Sequence, residues 1–294
     1  MPSLSSKILY QIMRRFKFNQ ILKKSLDEGT ISNASDKPHR YIRPVAPIET
    51  LSIDGCDVFI LRAKKGLNKP WILYLHGGAY VHGFQSFHWR FLKTVIKKTG
   101  WNIIAPDYPL LPHHTSKDMY DVIKKTYECL IHDEHPSSIV FMGDSAGGGL
   151  ALGFAQWLTM QGMRSPDEII LLSPWLDISM NDEKIKEIEP LDPILNVDAL
   201  RQIGQMLALD NNPKNYLYSP LYGDLKGIKT IRVITGTYDL LYADALRLSD
   251  HGKQQGTVIV YPFSNMVHTF MFFGLSESKL AMNIIVKALS DINT

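Results

Sequence analysis

Cysteine is scarce in this 294-residue chain: Cys56 and Cys129 are the only two, too few and too far apart for a disulfide framework or a zinc spacing. No cluster of histidine, cysteine or carboxylate has metal-ligand spacing, so neither a metal nor another cofactor is expected. A phosphate-cradling G-x-x-x-x-G-K and a dinucleotide fingerprint after a strand are missing too, which argues against nucleotide chemistry. No apolar run approaches a membrane span. The longest near the N-terminus, Ile8 to Tyr10, falls far short of a signal-peptide core, and a cytoplasmic protein is the expectation. Internal repeats and low-complexity tracts are absent as well.

Charge of one sign is missing from the first 26 residues, which hold Lys7, Arg14, Arg15, Lys17, Lys23 and Lys24 and no acid. The whole chain carries +3, so the remainder is −3. A basic face confined to one end, without aromatic-basic interleaving, excludes a general nucleic-acid surface. Within it Leu4, Ile8, Leu9, Ile12, Met13 and Phe16 recur at helical spacing. The expectation is a lid helix that turns Ile8, Ile12, Met13 and Phe16 down onto a mid-chain cap at 179–218. Membrane contact is not expected, because a single short amphipathic helix binds lipid only marginally without a second signal.

What is present is an ordinary soluble balance, 45% hydrophobic and 21% charged, enough for a sizeable core. Strand character at 49–53 and 57–62 flanks Asp54-Gly55 in the manner of a hairpin, and 64–69 reads as a further turn. The runs 70–75, 101–105, 138–142, 168–172, 230–235 and 257–261 read as strands, and 87–99, 120–132, 146–160, 241–254 and 277–289 as helices. That alternation implies a mostly parallel sheet with helices on both faces. We expect a single domain over 1–294, with cap elements from about 1–47 and from 179–218, where the rhythm breaks into two short helices around Pro190 and Pro193.

The organising stretch is S-I-V-F-M-G-D-S-A-G-G-G at 138–149. Gly143 and Gly147 flank Ser145 between a strand and a strongly apolar helix. A serine on a sharp strand-to-helix turn takes a strained backbone, and glycine removes the Cβ collisions across it. A serine nucleophile needs oxyanion donors, a base and an orienting acid. His76-Gly77-Gly78-Ala79 follows the central strand, so the amides of Gly77 and Gly78 are expected to join that of Ala146 around an oxyanion. Among ten histidines, His268 stands out because it follows the last strand. Asp239 holds the corresponding place after the preceding strand. Asp244 is the rival acid, disfavoured because the chain should already be helical there.

These motifs, with D-Y-P-L-L-P at 107–112, S-P-W-L-D at 173–177, D-P-I-L at 192–195, S-P-L-Y at 219–222 and G-T-Y-D-L-L at 236–241, resemble the hormone-sensitive-lipase-like esterases of the α/β-hydrolase fold, in family order from about residue 49 onwards. The resemblance implies cofactor-free hydrolysis of carboxylic esters, with Ser145 as nucleophile, Asp239 as acid, His268 as base, and Gly77, Gly78 and Ala146 as oxyanion donors. It also implies a small-molecule ester partner; a homodimer is left open. Ala79 departs from a third glycine common in the family, and the segment D-Y-P-L-L-P-H lacks the arginine and glutamate of typical members. Ala79, Tyr80, Phe84 and Trp175 are expected to narrow the pocket towards short acyl groups, acetyl esters or lactones among them. A ligand-binding receptor on the same fold is the alternative from another class.

Overall fold

The computed structural model describes residues 2–38, 42–63, 70–208, 212–253 and 257–292; the turn expected at 64–69 lies outside them. Its frame is an eight-stranded sheet ordered β1-β2-β4-β3-β5-β6-β7-β8. The strands are β1 (Ile48–Ile53), β2 (Cys56–Leu61), β3 (Trp71–Leu75), β4 (Asn102–Pro106), β5 (Ile139–Asp144), β6 (Glu168–Leu172), β7 (Ile231–Tyr238) and β8 (Val258–Val267). β2 runs antiparallel to both β1 and β4, and the remaining neighbours are parallel. Ile53 pairs with Cys56 across Asp54-Gly55, whose φ values of 50° and 81° are both positive. Such a turn matches the right-handed twist of its strands.

The helices are α1 (Leu4–Arg15), α2 (Ile21–Asp27), α3 (Ser86–Thr99), α4 (Ser116–Glu134), α5 (Ala146–Met160), α6 (Glu183–Ile188), α7 (Val197–Leu207), α8 (Tyr242–Lys253) and α9 (Ser276–Asp291). Successive strand residues serve opposite faces. Leu73, Phe141 and Leu171 join residues of α4, α5 and α8 in one core cluster, whereas Tyr74, Val140 and Ile170 join residues of α3 and α9 in the other. Apolar demand from both sides is why the central strands read as continuous hydrophobic runs.

Two expectations change. First, α1 does not turn Ile8, Ile12 and Phe16 inward: of the expected set only Met13 is buried, while the other three are exposed. Leu9 and Tyr10 supply the rest of the inner face. The repeat of apolar residues is broad enough to offer two faces, and packing selected the one centred on Met13. Second, β7 and β8 run on to Tyr238 and Val267, beyond their apolar cores, and remain paired as far as Tyr238 with Val267, with an irregularity between Gly236 and Tyr238. Gly236 makes this extension feasible, since a Cβ there would stand 2.0 Å from the Met266 carbonyl oxygen.

The segment after β6 returns over the carboxyl ends of β6 and β7. Asp192 within it accepts a hydrogen bond from the Leu240 amide at 2.8 Å. Leu26 of α2 and Leu200 and Leu207 of α7 share one core cluster, which joins the N-terminal arm to that segment.

Candidate active site

Ser145 sits at the end of β5 with φ 52° and ψ −122°, a region that costs a non-glycine residue about 1–3 kcal/mol. Its neighbours enforce the turn. A Cβ on Gly143 would stand 2.3 Å from the Gly147 carbonyl oxygen, and one on Gly147 would stand 2.1 Å from that of Leu75. The Ser145 amide donates to the Leu172 carbonyl at 2.9 Å, fastening the elbow to β6.

Two further strands deliver the partners. Asp239 is the residue after β7 and His268 the residue after β8, so their lengthened ends carry both side chains to Ser145. His268 Nδ1 lies 3.0 Å from Asp239 Oδ2, and its Nε2 lies 3.1 Å from Ser145 Oγ. The other Asp239 oxygen accepts from the Leu241 amide at 3.0 Å. With the Nδ1 proton donated to a carboxylate, the neutral imidazole presents the Nε2 lone pair to the hydroxyl. All three residues are buried. Burial pulls the His268 pKa down, but the charge and hydrogen bond of Asp239 outweigh it and leave the imidazole above its ordinary value.

Asp244 is not brought to this line. Its carboxylate accepts from the Leu176 and Asp177 amides, each at 3.0 Å, and burial followed by the nearby charge of Asp177 raises it to about 8. It ties α8 to the loop after β6.

The expected oxyanion donors need one correction. The Gly77 amide donates to Asp144 Oδ1 at 3.0 Å, so it is already committed. The amides of Gly78, Ala79 and Ala146 carry no hydrogen bond among the described residues. Gly78, Ala79 and Tyr80 have consecutive φ values of 127°, 53° and 61°, which turn the loop after β3 as it passes the elbow. At Gly78 a Cβ would stand 2.3 Å from the His82 carbonyl oxygen.

Asp144 escaped the sequence reading because it fills a variable position of G-x-S-x-G. Besides Gly77 it accepts from Tyr74 Oη at 2.5 Å, and it faces His88 Nε2 at 3.4 Å. The Gln85 amide donates to His88 Nδ1 at 2.9 Å, which leaves the proton of a neutral His88 on Nε2, towards Asp144. Burial would raise the carboxyl, but His88 and Tyr74 hold it below its ordinary value. Asp192 was also missed: it accepts from the amides of Ile194, Leu195 and Leu240, and burial together with the charge of Asp239 raises it to about 7. Both are carboxylates that only tertiary neighbours distinguish from solvated ones.

Of the expected pocket residues, Ala79, Tyr80 and Trp175 share a buried cluster with Ala146. The Tyr80 and Trp175 ring centroids are 5.5 Å apart, and the Trp175 amide donates to the Ser145 carbonyl at 3.0 Å. Phe84 belongs elsewhere. It stacks on Trp89 at 4.1 Å within the other core cluster, so it packs the core under α3 instead of lining a pocket.

A family described by the alpha/beta hydrolase fold matches residues 72–272. An esterase of Acinetobacter venetianus is 29% identical over 227 residues, covering 76% of this chain and 75% of its own. An acetyl-hydrolase of Streptomyces hygroscopicus is 24% identical over 244 residues, covering 82% of this chain and 81% of its own. The crystal structure of an esterase from the bacterial hormone-sensitive lipase family superposes with a TM-score of 0.82 at 25% identity, covering 98% of each chain. No helix among the described residues is long and apolar enough to cross a membrane.

Proposed function

The chain belongs to the α/β-hydrolase fold family, and on that premise we propose that it is a carboxylic ester hydrolase that forms an acyl-enzyme on Ser145. The observation that carries the reading is the continuous hydrogen-bonded line from Ser145 Oγ through His268 to Asp239, at 3.1 and 3.0 Å.

In this reading the Ser145 proton passes to His268 Nε2 as Oγ bonds to the ester carbonyl carbon. The oxyanion accepts from the amides of Gly78, Ala79 and Ala146, at the amino end of α5. The bond to the alcohol oxygen then breaks, and His268 gives its proton to that oxygen. Water next gives a proton to His268 and attacks the acyl carbon; Ser145 leaves and recovers its proton. Asp239 holds the tautomer and stabilises the imidazolium throughout.

The substrates are small-molecule esters with short acyl groups, acetyl esters or lactones among them. Support comes from the methyl group of Ala79 and the packed rings of Tyr80 and Trp175 beside Ala146, and from a relative named acetyl-hydrolase. The N-terminal arm and the segment after β6 act as caps, and a cytoplasmic setting belongs to the same reading.

The test is covalent. An organophosphonate should leave one adduct, on Ser145, by mass spectrometry of the digested protein, and Ser145→Ala should abolish both adduct and turnover. Esterase turnover surviving in Ser145→Ala would sink the proposal.

A further inference from the structure

The N-terminal arm carries an apolar stripe that the rest of the molecule leaves uncovered. Leu4, Ile8, Ile12 and Phe16 repeat every four residues along α1 and its C-cap and are 74, 52, 45 and 70% exposed; Ile21, opening α2, is 57% exposed. Residues at that spacing share one helix face.

The orientation of the helix is held from below. Met13 is buried, Leu9 and Tyr10 pack against the core cluster that contains Met266 and Val267, and the Tyr10 ring lies 5.3 Å from that of Tyr238. At the helix start the backbone amide and hydroxyl of Ser3 donate to the two oxygens of Glu277 at 2.5 and 2.9 Å. The stripe therefore faces outward because the opposite face is tied down.

Cations border it. Lys7 and Arg15 line the same surface as Ile8, Ile12 and Phe16. Lys7 and Arg15 are exposed and make no ion pair among the described residues, and residues 1–26 contain no acid.

We propose that this face docks on a membrane surface rich in anionic phospholipid, with α1 in the plane of the interface, Ile8, Ile12 and Phe16 among the acyl chains and the cations on lipid phosphate. A second copy of the chain is a poor occupant, since bringing stripe to stripe sets two groups of unpaired cations together with no acid between them. Anionic lipid complements both the apolar and the charged part, so the cations beside the exposed stripe supply the second signal, and the proposal replaces the expectation of no membrane contact. The helix is already formed and anchored through Glu277, so docking requires no ordering of a coil. Its inner face touches Tyr238, the residue before Asp239, so docking also sets the candidate site beside membrane-dissolved esters. That consequence rests on the esterase reading; the docking does not.

The full chain would be sedimented with vesicles of phosphatidylcholine alone and with vesicles containing about a third phosphatidylglycerol. Partitioning is expected only onto the anionic vesicles. Lys7→Gln and Arg15→Gln should each lower it roughly fivefold, and the triple variant Ile8→Ser, Ile12→Ser, Phe16→Ser should abolish it. Hydrolysis of p-nitrophenyl acetate should be unchanged in all of them, because all of these side chains are exposed, away from the face of α1 that packs against Tyr238. Absence of the parent protein from the anionic vesicle pellet, or partitioning that the triple variant retains, would overturn the proposal. So would a dimer in solution that the triple variant dissolves, which would assign the face to a second copy.

Discussion

Asp239 Oδ2 stands 3.0 Å from His268 Nδ1, whereas the carboxylate of Asp244, five residues on, is turned to the amides of Leu176 and Asp177. One acid can orient the imidazole and the other cannot. Asp239→Asn is expected to lower kcat by about 10⁴ because the amide favours the wrong tautomer, with little change in melting temperature. Asp244→Asn should leave turnover on p-nitrophenyl acetate within about threefold, since the substitution removes no contact to His268.

Asp244 bears on stability as well. Asp244 titrates at about 8 when folded, against an ordinary 3.8, so the folded chain keeps a proton that the unfolded chain has already lost. The stabilisation is complete below the unfolded value and is lost as pH rises through the folded one. Asn cannot ionise and can still accept from the two amides. The melting temperature of Asp244→Asn relative to the parent should therefore climb between pH 5 and pH 9, by a few degrees in thermal scans.

His268 must be neutral to take the Ser145 proton. Burial alone would depress its pKa, and Asp239 reverses that, so kcat/KM should fall towards acid with a one-proton midpoint above the ordinary histidine value of about 6.5. In Asp239→Asn the residual activity should show a lower midpoint, because the largest charge opposing burial is then gone and only the weaker influence of Asp192 and Asp144 remains. A midpoint that stays put would mean that another group controls the profile.

Asp144 collects the Gly77 amide and the Tyr74 hydroxyl on one oxygen, which fixes the strand preceding Gly78 against the elbow. Asp144→Asn is expected to lower kcat by about 10²–10³, comparable to the loss of an oxyanion donor, with KM nearly unchanged. Gly78→Ala should be as damaging, since its φ is 127° and the added methyl meets the His82 carbonyl. Steady-state kinetics beside a melting curve separates misplacement of the donors from unfolding.

Across a p-nitrophenyl ester series the proposed pocket predicts a maximum at acetyl to butyryl. Ala79→Gly, which removes the methyl beside the donor amides, should move the maximum to longer chains. A parent optimum at dodecanoyl or beyond would reject the short-acyl reading.

Much of this protein was written locally. Gly143, Ser145 and Gly147 state the elbow because the steric conflict they relieve lies within a few residues, and the apolar runs state the strands because both sheet faces demand burial. The places of Asp239 and His268 followed from strand order, with the expected start of the next helix setting Asp239 above Asp244. Tertiary structure decided the rest, where one residue had several chemically equal uses. Nothing in the motif H-G-G-A says which amide is free; the carboxylate of Asp144, 67 residues away, takes that of Gly77. Phe84 is as aromatic as Tyr80, yet it packs on the opposite face of the sheet from the cluster of Ala146. Met13 and Ile12 are both apolar neighbours on α1, and only contact with the folded body determines which is buried. Local pattern fixes what a side chain can do, but its partner in a low-dielectric interior, supplied by distant parts of the chain, decides what it does.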